Sequence, residues 1–317
     1  MQKVLVTGGS GFIGSHLCEY LLDKGYKVVC LDNLLTGSKK NVEPILGNPN
    51  FEFIEADITD NNSVSKLVSN SINYVFHLAS PASPIDYQNH PEETLLVNSQ
   101  GALNILNLGK ALKAKVLITS TSEIYGDPLE HPQKETYFGN VNTFGPRSCY
   151  DESKRFSETA SYVFLHKYDL DVRIIRIFNT YGPKMQKDDG RVVSNFINEA
   201  LGSNTLNIDG DGSQTRSFCY VDDMVEGIYK AMFSDNTKGE IFNLGNPDEF
   251  TIKGLAKKVL TLTNSKSEIK YTGSFRENDP MRRKPDISKA KKFLDWEPKV
   301  NLDEGLQKTV EYYKSLA

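Results

Sequence analysis

Tyr150 and Lys154 stand four residues apart, so on a helix their side chains lie side by side on one face. A lysine ammonium and a second cation bound beside the phenol would both favour the phenolate and lower the phenol's pKa. A tyrosine tuned in this way can take the proton of an alcohol while hydride leaves the same carbon. Out of context, Tyr-x-x-x-Lys is a common pair on helix surfaces. Just upstream, however, lies the hydroxyl-rich stretch Ser120-Thr121-Ser122-Glu123. Thr121 can hydrogen-bond the reacting hydroxyl, which completes a Thr–Tyr–Lys triad for turning an alcohol into a ketone or the reverse.

Hydride needs an acceptor, and the N-terminal segment offers a seat for one. Thr7-Gly8-Gly9-Ser10-Gly11-Phe12-Ile13-Gly14 follows a strand-like run and opens a helix-like one. Gly8, Gly11 and Gly14 have the GxxGxxG spacing of a dinucleotide turn: a tight bend, backbone close to a pyrophosphate, and a helix packed near its strand. Asp32 ends the second predicted strand, where a carboxylate accepts both hydroxyls of an adenosine ribose and repels a 2′-phosphate. No lysine or arginine follows until Lys39, so NAD is expected in preference to NADP. Asp57-Ile58 follows the third strand, where an adenine amino group can be read; Asp57 alone reads equally as a helix N-cap.

These residues need strands and helices to hold them. Short β-branched runs predict strands at Lys3–Val6, Lys27–Leu31, Phe51–Glu55, Tyr74–Leu78, Lys115–Thr119 and Asp171–Ile177. Helical stretches are expected between them at Phe12–Lys24, Asn62–Ser69, Glu92–Leu112 and Ser153–Tyr168. This alternation predicts an α/β fold, a Rossmann-type doubly wound parallel sheet covered on both faces. After Gly182-Pro183 the rhythm breaks into turn-rich segments, which predicts a smaller mixed α/β C-terminal lobe. The expected division is residues 1–182 for the nucleotide domain, with chain returning around 218–245, and 183–317 mainly for the substrate lobe.

Composition narrows the function. The net charge of −4 and the three-residue basic cluster Arg282-Arg283-Lys284 do not make a nucleic-acid surface. No apolar run approaches a membrane span, and a strand-like segment directly after Met1 leaves no room for a signal peptide. The four scattered cysteines form no CxxC, which suits a reduced, cytoplasmic protein. The histidines show no metal-ligand spacing, so no metal is expected. Cys149 has no partnered base nearby in sequence and reads as a small buried apolar residue.

The chain resembles the extended short-chain dehydrogenase/reductases, and within them the UDP-glucuronate decarboxylases (UDP-xylose synthases). The likeness runs nearly end to end. It is carried by His77-Leu-Ala-Ser-Pro-Ala-Ser-Pro84, Ser120-Thr-Ser-Glu-Ile-Tyr-Gly-Asp127 and Gly145-Pro-Arg-Ser-Cys-Tyr-Asp-Glu-Ser-Lys154. Arg176-Ile-Phe-Asn-Thr-Tyr-Gly-Pro183, Asp189-Gly-Arg-Val-Val-Ser-Asn-Phe196, Gly212-Ser-Gln-Thr-Arg-Ser-Phe218 and Arg283-Lys-Pro-Asp286 extend it.

The resemblance implies a bound NAD along Gly8, Gly11, Phe12, Ile13, Gly14, Asp32, Asn33, Asp57, Ile58, Leu78, Ala79, Ser80 and Thr119, ending at Tyr150 and Lys154. It implies a UDP-sugar substrate, UDP-glucuronate, held by Asn179, Arg191, Arg216 and Arg283, with Arg283 near the sugar carboxylate. Arg191 and Arg216 also read as structural ion-pair residues, Arg283 as part of a solvated basic turn, and Asn179 as a turn residue. Dehydratases of the family carry Asp-Glu after the triad threonine; Ser122-Glu123 here lacks that acid, which favours decarboxylation over dehydration. Ser122 and Glu123 would orient the sugar or assist proton transfer. Oxidation at C4 makes a ketone β to the C6 carboxylate, so CO₂ can leave before the ketone is reduced again. The other family reactions, 4,6-dehydration, 4-epimerisation or release of the 4-keto pentose, are the alternatives, with a non-catalytic NAD-binding protein further off. A homodimer is also implied, with Leu95, Leu103, Ile105, Leu106, Tyr162, Phe164 and Leu165 as its candidate contacts, although core packing explains the same residues.

Overall fold

In the computed structural model, which describes residues 1–274 and 282–316, seven strands form one parallel sheet. From edge to edge they are Ile241–Leu244, Val172–Ile177, Lys115–Thr121, Tyr74–His77, Lys3–Thr7, Lys27–Asp32 and Phe51–Glu55. The order reverses direction between Lys3–Thr7 and Tyr74–His77, the switch point at which such sheets open a crevice beyond their carboxyl ends. Successive side chains of a strand point to opposite faces. Leu5, Val29, Val75, Val116 and Ile174 therefore enter the core shared with Ile105, Leu106 and Phe164. Val4, Val6, Val28, Phe76 and Ile175 enter the core on the other face, with Leu17, Leu21 and Ile228.

Three helices differ from the sequence reading by more than one residue, each for a local reason. The helix bearing Tyr150 begins at Ser148, not Ser153, because the Gly145-Pro146 break ends just before it; Tyr150 sits in its first turn. The stretch expected as one helix from Glu92 is Pro91–Leu96, a π-turn at Val97–Gly101, and Ala102–Leu112. Buried Asn98 sits in that turn and donates to Thr94 O (3.0 Å), Ser80 Oγ (3.0 Å) and Ser153 Oγ (3.1 Å). It ties the turn to the helix of Tyr150. The Asn61–Ser65 helix is capped by Asp60, whose carboxylate accepts from the N–H groups of Asn62 and Ser63. The cap considered for Asp57 is thus Asp60's; Asp57 instead accepts from Thr59 N and Oγ1, both at 2.7 Å.

The later chain returns to the main sheet as its seventh strand, Ile241–Leu244, paired with Val172–Ile177. It also builds a small sheet in which Thr215–Ser217 lies between Glu249–Thr251 and Arg282–Arg283. The parallel register there sets Arg283 opposite Arg216. Of the proposed dimer contacts, Ile105, Leu106 and Phe164 are core residues, because their helix faces turn onto the sheet; Leu103 and Leu165 are half-buried against the same core. Leu95 and Tyr162 are exposed, as are Leu96 and Val163 beside them.

Candidate active site

A single cleft runs across the carboxyl ends of the strands, and the residues nominated above for cofactor, substrate and chemistry line it. At one end is the glycine turn. Gly8 has φ of +71°, and a Cβ there would lie 2.6 Å from the backbone nitrogen of Ala79. A Cβ on Gly14 would lie 2.0 Å from the carbonyl oxygen of Gly8, so the helix meets its strand at this distance only without side chains. Asp32 accepts Ser10 N–H (3.0 Å) and Leu34 N–H (2.8 Å), one on each oxygen, which ties the turn to the second strand. Both oxygens keep further acceptor capacity for a ribose. Asn33 donates to Asp57 Oδ2 (2.9 Å), joining the two residues at the adenine end. A backbone cradle that any side chain would fill, with the Asp32 carboxylate at its far wall, fits an adenine dinucleotide without a 2′-phosphate.

In the middle of the cleft lie Thr121, Tyr150 and Lys154. Thr121 ends the fifth strand of the chain, accepts Glu123 N–H (3.2 Å), and hydrogen-bonds the Tyr150 hydroxyl. The Tyr150 ring stacks flat on Tyr87, centroids 5.1 Å apart and planes within 6°. Lys154 Nζ donates to Thr119 O (3.0 Å) and stands 5.8 Å from the Tyr150 ring centre. The expected lowering of the tyrosine pKa is not a property of this chain's groups: burial raises it, against the Thr121 bond. Burial also brings Lys154 down to about 7. His77 behind them bonds Thr7 Oγ1 (2.8 Å) and is brought to about 3, by burial first and then by the Lys154 charge. It is a neutral structural imidazole.

At the other end is a cluster of ions. Glu123 is gripped by both nitrogens of the Arg283 fork, Nη2 donating to Oε2 at 2.8 Å, and by Arg147. Burial alone would push its carboxyl up, but Arg283, then Arg147, outweigh this and hold it at about 2. Glu123 is therefore an anion that orients two guanidiniums, and not a resident acid. Ser122 is buried beside it and lines the cleft. Arg283, expected as an alternative to be a solvated turn residue, is 4% exposed. Its chain position is fixed by Gln133, which is fully buried. Gln133 N donates to Lys284 O and Gln133 Oε1 accepts Lys284 N–H, both at 2.9 Å, while Gln133 O accepts Asp286 N–H at 2.8 Å.

Arg216 lines the same region and donates to its own strand at Thr215 O (2.8 Å). Arg191 makes a bidentate pair with Asp189, at 2.5 and 2.6 Å, and Asn179 lies on the cleft wall. Sequence reasoning passed over Arg147, Tyr87 and Gln133. Arg147 had a signal, three residues before Tyr150 and so one helix turn away; Tyr87 and Gln133 reach the site only through tertiary packing. Among the described residues no group of three potential ligands stands close enough to hold a metal ion, and no helix is long and apolar enough to cross a membrane.

Comparison with known proteins meets this geometry. The family model described as GDP-mannose 4,6 dehydratase matches residues 5–309. UDP-glucuronic acid decarboxylase 6 of Arabidopsis thaliana is 51% identical, covering 96% of this chain and 87% of that protein. UDP-glucuronic acid decarboxylase 1 of Xenopus tropicalis is 47% identical, covering 99% and 72%. Among solved structures, the UDP-glucuronic acid 4-epimerase of Bacillus cereus, in complex with UDP-glucuronic acid and NAD, superposes with a TM-score of 0.90 at 30% identity over the full length of both chains. The UDP-glucose 4-epimerase of Thermotoga maritima gives 0.91 at 33%, covering 99% of each. This chain belongs to the GDP-mannose 4,6 dehydratase family and, within it, to the UDP-glucuronic acid decarboxylases.

Proposed function

We infer that this enzyme decarboxylates UDP-glucuronate, with NAD as a bound cofactor that is restored in each cycle, and yields UDP-xylose. The observation that carries the reading is the meeting, in one cleft, of the Thr121–Tyr150–Lys154 triad with the Arg147–Glu123–Arg283 cluster. The first suits oxidation of a hydroxyl, and the second suits a sugar bearing a carboxylate. Gly8, Gly11, Gly14 and Asp32 would hold NAD, which would supply hydride exchange and a positive charge beside Tyr150.

The chain's own groups do the rest. Tyr150 takes the C4 hydroxyl proton, and Thr121 holds that oxygen in line. Lys154 sets the electrostatics of the phenol from one helix turn away. Arg283, and Arg147 with it, face the C6 carboxylate through bidentate donors. When the C5–C6 bond breaks, its electron pair passes to C5 and on to the C4 oxygen, where Tyr150 and Thr121 can donate. C5 then takes a proton from water on the Ser122–Glu123 side as the C4 oxygen returns to a ketone, and the ketone is reduced while Tyr150 gives back the proton it took. Arg191, Arg216 and Asn179 serve the nucleotide diphosphate and sugar, in a lobe formed mainly by residues 183–317; residues 1–182, with chain returning around 218–245, form the NAD domain.

Incubation of the purified protein with UDP-glucuronate and catalytic NAD should release CO₂ and form UDP-xylose. Turnover of UDP-glucuronate without CO₂, giving its C4 epimer, would overturn the assignment in favour of an epimerase. A 4-keto pentose as the main product would remove the internal reduction. We further propose a homodimer through the exposed apolar strip of Leu95, Leu96, Tyr162 and Val163, and action in the cytoplasm, which the four free cysteines suit. Sedimentation checks the first and fractionation the second.

A further inference from the structure

An ion pair with no part in the chemistry above joins the elements of the triad to those of the ion cluster. Glu158 stands one helix turn beyond Lys154 and two beyond Tyr150, so the three share a face of the Ser148–Tyr168 helix. Glu158 Oε1 accepts from Ser120 Oγ at 2.5 Å, and Ser120 directly precedes Thr121. Together with the bond from Lys154 to Thr119 O, this pins the helix to the strand end at two successive residues. Arg176 lies opposite Ser120 on the neighbouring strand, buried, and meets Glu158 with Nε at 2.9 Å and Nη2 at 2.8 Å. Burial alone would loosen its proton, but the Glu158 hydrogen bonds and charge outweigh it and hold the guanidinium charged. The remaining nitrogen, Nη1, donates to the Tyr125 hydroxyl and to Glu135 O, both at 2.9 Å. Tyr125 belongs to the same turn as Glu123. Burial pushes its hydroxyl up to about 12, so it keeps the proton that it donates to Asn243 Oδ1 at 2.8 Å. Asn243 is fully buried, and its Nδ2 donates to Gln133 O (3.0 Å) and Asp286 O (3.3 Å), in the segments that seat Arg283.

We propose that Arg176 is a positioning residue that sets the distance between the triad and the ion cluster. One edge of its guanidinium holds Glu158 and, through Ser120, the strand end of Thr121. The other holds Tyr125 and, through it, the turn of Glu123 and the seat of Arg283. The inference rests on the reading of the reaction as decarboxylation through a 4-keto sugar. Such a reaction calls on both ends in turn. C4 must face Tyr150 and Thr121 for oxidation, the C6 carboxylate must face Arg283 while its bond breaks, and C4 must face Tyr150 again for reduction. Both carbons belong to one small sugar, so the separation of the two ends has to match it, and a small displacement of either is costly. A planar fork can hold two partners in one fixed geometry; an ammonium on a flexible stem cannot. A buried ion pair adds little net stability over apolar groups of the same volume, so its contribution here is geometric.

Arg176→Lys keeps the charge and loses the fork. With UDP-glucuronate and excess NAD, its CO₂ release per folded enzyme should fall about ten-fold. The share of turnovers that end at the 4-keto pentose, leaving NAD reduced, should rise several-fold over wild type, read by product chromatography and by the near-ultraviolet absorbance of reduced NAD. If that variant folds poorly, the two edges are cut singly. Ser120→Ala, on the triad side, should lower kcat several-fold with KM for UDP-glucuronate kept; Tyr125→Phe, on the cluster side, should raise KM more than it lowers kcat. Where Arg176→Lys folds, adding either substitution to it should cost under about two-fold more, because both act through the same guanidinium. Activity that falls only with the amount of folded protein, at the wild-type product ratio, overturns the proposal. So do fully additive effects, or the same kcat and KM changes from both single variants. Wild-type enzyme that releases no CO₂ from UDP-glucuronate overturns the functional reading itself. Release of CO₂ by wild type, with product ratio and kcat–KM split unmoved in the variants, overturns only the role of Arg176.

Discussion

The two ends of the cleft are held by different forces. At the cofactor end the glycine turn is held by backbone-to-backbone contacts and by backbone N–H groups on the Asp32 carboxylate: Gly11 N to Gly8 O at 3.2 Å, Ser10 N to Asp32 Oδ2 at 3.0 Å. Shape is set by what a side chain would strike. At the sugar end the contacts are between charges, and Glu123 and Arg283 are 160 residues apart. The first end is a fixed mould. The second is a balance of charges that a charged ligand can enter and reset, which suits a site whose substrate loses its own charge during the reaction.

Substitutions separate the two. The largest effect is expected where the ends meet: Tyr150→Phe should lower turnover by about 10³-fold or more, with NAD affinity kept, as followed by CO₂ release and cofactor titration. Next, Glu123→Gln leaves the buried Arg283 and the partly buried Arg147 without their shared anion, and should cost roughly 3 kcal/mol in denaturant unfolding while NAD binding persists. The pH trend has a sign. Glu123 titrates in the fold at about 2, below its usual 4.5, so its contribution is complete above about pH 4.5 and is lost as pH falls towards 2. The stability gap between wild type and Glu123→Gln should close over that range; a gap that stays constant would remove Glu123 from the charge balance.

Gly8→Ala tests the mould. Strain at positive φ and collision with Ala79 should weaken NAD about ten-fold, with UDP binding unchanged. Equal loss at both ends would mean that the cleft behaves as one unit. Smallest is Gln133→Leu, which strips the Lys284 N–H of its acceptor. CO₂ release should fall several-fold, but little further in an Arg283→Ala background, because the clamp acts through Arg283. Full additivity would make Gln133 a general fold residue.

The same contrast explains what could be read from the sequence. The cofactor end was legible because its signal is local: glycines at fixed spacing after a strand, and Asp32 one strand later. The triad was legible through helix geometry, and Ser122, Glu123 and Arg283 through motifs. The grip of Arg283 on Glu123 was not, since no spacing rule joins residues so far apart. The sequence left Ile105, Leu106 and Phe164 open between core and dimer contact, because apolar helix faces that meet a sheet and those that meet a partner look alike; burial assigns these three to the core.

Gln133 grips Lys284 only at the lysine's main-chain N–H and carbonyl. The clamp is therefore blind to which amino acid stands at 284. Over evolutionary time the two positions should drift unequally: 284 free to change so long as it keeps its N–H, 133 held to an amide of one length, with no covariation between them to betray that they touch.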